Sequence, residues 1–138
     1  MFFEWWDWFP QSTDTGTQST KLTQENVEGL RSVQDKCHQQ ALNMGWHNKP
    51  REVGTLIALC HSELSEALEG FRKNKMDDHI KDRQAAEIEL ADLLIRVFDM
   101  AGLYGFDLAD AISQKLAYNL TRADHQMSNR LKEGGKAF

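Results

Sequence analysis

The sequence predicts an all-α fold, a bundle of four to five helices, and three observations carry that expectation. Apolar residues recur every three or four positions through the middle of the chain, no stretch alternates in the manner of a half-buried strand, and only two prolines interrupt 138 residues. A chain of this size hides roughly two-thirds of the surface that it exposes when unfolded, so a core forms without disulfides or structural metal. The expected division is an aromatic leader and polar linker over residues 1–22, a helical domain over 23–124 and a polar tail over 125–138.

The leader places Phe2, Phe3, Trp5, Trp6, Trp8 and Phe9 within ten positions, ahead of a Gln/Ser/Thr-rich stretch. Exposed aromatics in that density are a solubility liability, so the segment is expected to dock on its own domain or on a neighbouring subunit. The first helix starts at Thr23, an N-cap preceded by Leu22. It carries Val27, Leu30, Val33, Cys37 and Ala41 at helical spacing and stops near Gly45. Trp46 to Pro50 reads as a loop, with Pro50 in the first turn of a second helix that runs to about Lys73. Asn74 to Arg83 is charged and aperiodic, hence a connection. The third helix, from about Gln84 to Tyr104, is apolar over much of its circumference (Ile88, Leu90, Leu93, Leu94, Val97, Phe98) and is expected to sit centrally. Gly105 supplies a C-cap, Phe106 and Asp107 a staple and an acidic N-cap, and the fourth helix reaches about Thr121.

Charge and composition narrow the function. With 16 basic against 21 acidic side chains and a net charge of -5, the chain is poorly suited to wrapping nucleic acid through many phosphate contacts. No run of eighteen apolar residues occurs, and Met1 to Pro10 contains Glu4 and Asp7 and lacks a basic start, so neither a membrane span nor a secretion signal is expected. Cys37 and Cys60 are too few for a disulfide framework and suit free thiols in the cytoplasm.

Two acidic spacings stand out: Glu63 and Glu66 on the second helix, Glu89 and Asp92 on the third. Residues three apart are neighbours on a helix surface, so each pair presents two carboxylates to one side. Helical projection sets Glu63 on the margin of the apolar stripe beside Leu56, Leu59 and Ala67, with Glu66 just beyond it. Antiparallel packing of the two helices brings the four acids to one seam. Two like charges about 4 Å apart repel by about 4 kcal/mol at an effective dielectric near 20, a penalty that a divalent cation removes. All-oxygen ligation favours Mg²⁺ or Mn²⁺ over zinc, and Mg²⁺ commonly takes substrate phosphates as further ligands.

On the fourth helix Lys115, Asn119 and Arg122 share one face, as a phosphate grip or as a solvated surface. Tyr118, about 100° round, reads as core or as ligand, and Trp46 as a stacking surface for a base or as a loop anchor. Arg96 and Asp99 are expected to form a buried pair. Neither Cys37-His38 nor Cys60-His61 converges on one ion, because adjacent helical residues point about 100° apart.

The stretch Leu56-Ile57-Ala58-Leu59-Cys60-His61-Ser62-Glu63-Leu64-Ser65-Glu66-Ala67-Leu68-Glu69, followed by Glu89-Leu90-Ala91-Asp92-Leu93-Leu94-Ile95-Arg96, resembles the MazG-like branch of the all-α nucleoside triphosphate pyrophosphohydrolases. That family's signature is EExxE followed by ExxD; here Ser62 stands at the first glutamate, and Glu63, Glu66, Glu89 and Asp92 match the remaining acids. Lys115 to Arg122 is similar to a K-x-x-Y-N-x-x-R segment of some members, and Glu133-Gly134-Gly135-Lys136 to their tail. The likeness covers roughly Val27 to Arg122, and the aromatic leader has no counterpart in it. It implies Mg²⁺-dependent hydrolysis of a (d)NTP to the monophosphate and pyrophosphate, with metal held by Glu63, Glu66, Glu89 and Asp92 and Glu63 as base. Lys115, Tyr118, Asn119, Arg122 and Trp46 would face the substrate. Related activities on the same scaffold are those of dUTPase- and dCTPase-like enzymes and phosphoribosyl-ATP pyrophosphohydrolases; a non-catalytic helical interaction module is the alternative of another class. The apolar third helix further predicts a homodimer or homotetramer with the site near a subunit contact.

Overall fold

The computed structural model describes residues 21–122. The expected docking of the aromatic leader and the expected polar tail, with its Glu133 to Lys136 motif, lie outside them. Four helices make up the described residues: α1 (Gln24–Asn43), α2 (Val53–Lys73), α3 (Ala85–Tyr104) and α4 (Leu108–Thr121). Among these residues the only β-type pairing is an isolated bridge between Met76 and Gln84. No described helix is long and apolar enough to cross a membrane.

Local chemistry sets the helix ends. Thr23 forms a full capping box, its hydroxyl accepting from the Asn26 amide at 3.2 Å while Asn26 Oδ1 accepts from the Thr23 amide at 3.1 Å. At the other end of α1 the amides of Gly45 and Trp46 return to the carbonyls of Leu42 and Ala41, and Gly45 takes φ +74°, a conformation that costs glycine nothing. The same pair of bonds closes α2, through Asn74 at φ 47° and Lys75, and α3, through Gly105 at φ 67° and Phe106. Pro50 lies outside α2 rather than in its first turn. The first carbonyl of that helix is Glu52's, which accepts from Thr55 and Leu56, because the fixed φ of proline suits an extended lead-in as well as a helix.

The helix α3 occupies the centre, packing on α2 along one side and on α1 along the other, while α4 packs on α1. The buried residues are mostly small: Ala41, Ala67, Ala85, Ala86, Ala101 and Ala109 accompany Val27, Leu56 and Phe98. Backbone approaches backbone closely where the end of α2 meets the start of α3, for a Cβ on Gly70 would stand 2.7 Å from the Ala86 amide nitrogen. On α1 the inward position belongs to Gln34 rather than to Val33, which is exposed. Gln34 donates to the Phe106 carbonyl at 2.8 Å and accepts from the Leu108 amide at 3.2 Å, so its amide satisfies the turn between α3 and α4. Asp107 caps α4 through the Asp110 amide and takes Arg31 from α1 at 2.7 Å. Phe106 is exposed and stacks on Tyr104.

Candidate metal centre

The seam between α2 and α3 holds the acids that the spacing singles out. Glu63, Glu89 and Asp92 each offer a carboxylate oxygen within 4.8 Å of the others. They line an open cleft of about 500 Å³ whose wall also includes Glu66, Asp77, Ile88 and Arg96. Glu63 is the buried member, because its position faces α3. Glu66 stands one turn on, exposed at the rim and outside the close trio.

Charge at this seam is only partly compensated. Arg96 Nε donates to Glu63 Oε1 at 2.6 Å, so one protein cation answers one carboxylate. Partial burial pushes Glu89 above the usual carboxylate range, and the charges of Glu66, Glu63 and Asp92 push it further. Burial likewise raises Asp92, helped by Glu63 and Asp77 and opposed by Arg96. The donor set is all oxygen, negative in excess and open to solvent on one side, which fits a hard divalent cation. Asp77 comes from the 74–83 connection and lines the cleft outside the close trio, a position that spacing arguments cannot find. Its Oδ1 accepts from the His79 and Ile80 amides, which holds its pKa below the ordinary value.

The other candidate residues are spread more widely. Trp46 is partly buried, and the Arg96 guanidinium lies 5.6 Å from its ring centre, so α3 ties the tryptophan to the acidic seam. Lys115, Tyr118 and Asn119 are on α4 and Arg122 caps its C-terminal end, and none of them lines the cleft in a single chain. The Lys115 ammonium and the Arg122 guanidinium lie 4.9 and 6.0 Å from the Tyr118 ring centre. Asn119 Oδ1 is buried with no hydrogen-bond partner among the described residues.

The expected Arg96–Asp99 pair does not form. Residues three apart on α3 turn to different neighbours: Arg96 reaches α2, while Asp99 is buried toward α1 and accepts on Oδ1 from His38 Nδ1 at 2.9 Å and His47 Nε2 at 2.7 Å. This second cluster was not read from the sequence, because the histidines come from elements whose approach no local spacing encodes. Cys37 and Cys60 are free thiols, and burial raises the pKa of each. Comparison with models of known protein families, with curated proteins and with solved structures finds no match for this chain.

Proposed function

We propose that the chain is a Mg²⁺-dependent nucleotide pyrophosphohydrolase of the MazG-like kind, cleaving a (d)NTP to the monophosphate and pyrophosphate in the cytoplasm. One observation carries the reading: Glu63, Glu89 and Asp92 converge from two helices on an open acidic cleft, with Glu66 at its rim. The signature-like spacing of the same residues supports it, as do the partial burial and neighbouring negative charge that together leave Glu89 and Asp92 harder to ionise than isolated carboxylates.

In this reading the trio and Glu66 would hold Mg²⁺ or Mn²⁺, which would in turn take the triphosphate. The chemistry such an ion supplies is neutralisation of phosphate charge and a lowered pKa for attacking water. Glu63 receives the proton from that water, its carboxylate fixed in direction by the bond to Arg96. Arg96 adds positive charge at the cleft wall, and Trp46 offers a face to the base. In-line attack on a phosphoryl centre depends mainly on positioning and charge stabilisation, which a small helical scaffold can provide. Lys115, Asn119 and Arg122, with Tyr118 beside them, reach the nucleotide from the α4 face of a second copy in a homodimer or homotetramer.

Pyrophosphate release measured across a panel of canonical and modified nucleoside triphosphates tests the reading. The expected result is Mg²⁺-dependent turnover of at least one nucleotide, reduced by a factor on the order of 100 or more in Glu63→Gln and Asp92→Asn. Absence of turnover with every nucleotide would favour a non-catalytic helical interaction module.

A further inference from the structure

The Asp99 cluster draws its members from three separate elements. His38 lies on α1, His47 on the turn that follows it, and Asp99 on α3. The glycine-closed end of α1 turns the chain back after Gly45, so that the His47 ring lies 5.7 Å from the ring of His38, about one and a half turns before the end of the helix. Gly102, one turn beyond Asp99, has no side chain, and a Cβ there would collide with the His38 ring. A glycine inside a helix costs about 1 kcal/mol relative to alanine, and here it provides the bed on which His38 lies to reach Asp99. Asp99 is only 4% exposed, so a charged carboxylate at that depth needs compensation.

The direction of the two imidazoles is informative. A carboxylate has two oxygens and about four lone-pair sites, so two hydrogen-bond donors need not crowd onto the same atom. Here both ring nitrogens aim at Oδ1, and the three ligand-type atoms lie within 4.8 Å of one another. Tetrahedral zinc with bonds near 2.0–2.1 Å sets its ligands about 3.3 Å apart, so small side-chain rotations convert the observed spacing of 2.7 and 2.9 Å into a coordination site. A recess of about 10 Å³, lined by Trp46, Arg51, Leu56, Leu59, Arg96 and Asp99, adjoins the carboxylate on the side away from the histidines and is of a size to hold one water.

We propose that His38 Nδ1, His47 Nε2 and Asp99 form a binding site for a zinc-class transition-metal ion, separate from the acidic cleft. Imidazole donors select zinc, cobalt or nickel over magnesium, the reverse of the all-oxygen set between α2 and α3. The two sites are distinct in place as well as in chemistry, since seven residues of α3 separate Asp99 from Asp92, about 10 Å along the axis. The ion cross-links α1, its terminal turn and α3, and so fixes the turn that carries Trp46. The site does not depend on the hydrolytic reading.

The test is titration of the metal-free full-length chain with Zn²⁺ by calorimetry and with Co²⁺ by visible absorption. The expected result is one tight ion per chain with the bands of four-coordinate cobalt, and a higher thermal midpoint with Zn²⁺. Affinity should fall on the order of 100-fold or more in His38→Gln and His47→Gln, since loss of an outer hydrogen-bond partner alone costs 10–100-fold. His47 sits in a turn, so its variant keeps the helices, as far-UV circular dichroism will verify. Uptake should persist in the Glu89→Gln/Asp92→Asn double variant. Failure to bind either ion, or binding unchanged in both histidine variants, would overturn the proposal and leave the cluster as a hydrogen-bonded triad.

Discussion

At the scale of single residues, Glu89 reports on the electrostatics of the cleft. Its folded pKa is raised, first by burial and then by Glu66, Glu63 and Asp92, so the folded state binds a proton more tightly than the unfolded chain does. By linkage, stability is lost as pH rises from the ordinary carboxylate range through the raised value, and the penalty is fully present above it. Asp92 acts in the same sense. In chelated buffer at pH 7, Glu89→Gln should therefore have a higher urea midpoint than the wild type. The difference should shrink at pH 4, where the carboxyl is largely protonated in both folded and unfolded states, and should shrink at pH 7 on addition of Mg²⁺. A wild type more stable than Glu89→Gln in chelator at pH 7 would show that the charges there are already balanced. Most of the acid set was legible from i, i+3 spacing and apolar-margin projection. Asp77 was not, because a loop residue's position depends on the turn its own side chain holds, and neither was the Arg96–Glu63 pair, because the choice between partners on different helices is made by packing.

At the scale of elements, two glycines in helices separate propensity from packing. Gly29 on α1 has open space where a side chain would go, so Gly29→Ala should stabilise the protein by about 1 kcal/mol. Gly70 on α2 faces the backbone of Ala85 and Ala86, and Gly70→Ala should cost about 1–3 kcal/mol despite the better helix former, because the two helices must part. Chemical denaturation of the two variants checks both signs, and equal effects would mean that the α2–α3 crossing is looser than described. Capping residues made the elements readable. Thr23, Gly45, Gly105 and Asp107 act through bonds to residues within four positions, which is the range a linear reading covers. Pro50 and Val33 misled for the opposite reason: proline constrains one angle without starting a helix, and an apolar period places a stripe only to within the arc that the neighbouring helix decides. Gln34 took the inward place through two hydrogen bonds to a turn more than seventy residues away.

At the scale of the whole molecule, the four helices leave apolar side chains exposed among the described residues. On α2, Ile57, Leu64, Leu68 and Phe71 are 42%, 46%, 60% and 46% exposed, and they form one stripe beside the buried face of Leu56, Cys60 and Ala67. On α3, Leu90 and Leu94 are also exposed. The proposed homo-oligomer would cover such a stripe, so sedimentation is expected to find a dimer or tetramer at micromolar concentration, and Leu64→Lys/Leu68→Lys to shift it toward monomer. A wild-type monomer would contradict that expectation. The all-α class followed from helical periodicity without strand-like alternation and the central place of α3 from its near-continuous apolar sequence, whereas the placing of α4 against α1 did not, since short connections permit either side. The central claim, that Glu63, Glu89 and Asp92 hold a hard divalent cation, is tested most directly by titrating Mn²⁺ into the full-length chain and following free Mn²⁺ by electron paramagnetic resonance. Saturable binding that Mg²⁺ displaces, and that Glu89→Gln/Asp92→Asn abolishes, is the predicted result; binding that is absent, or that survives the double substitution unchanged, would contradict the account.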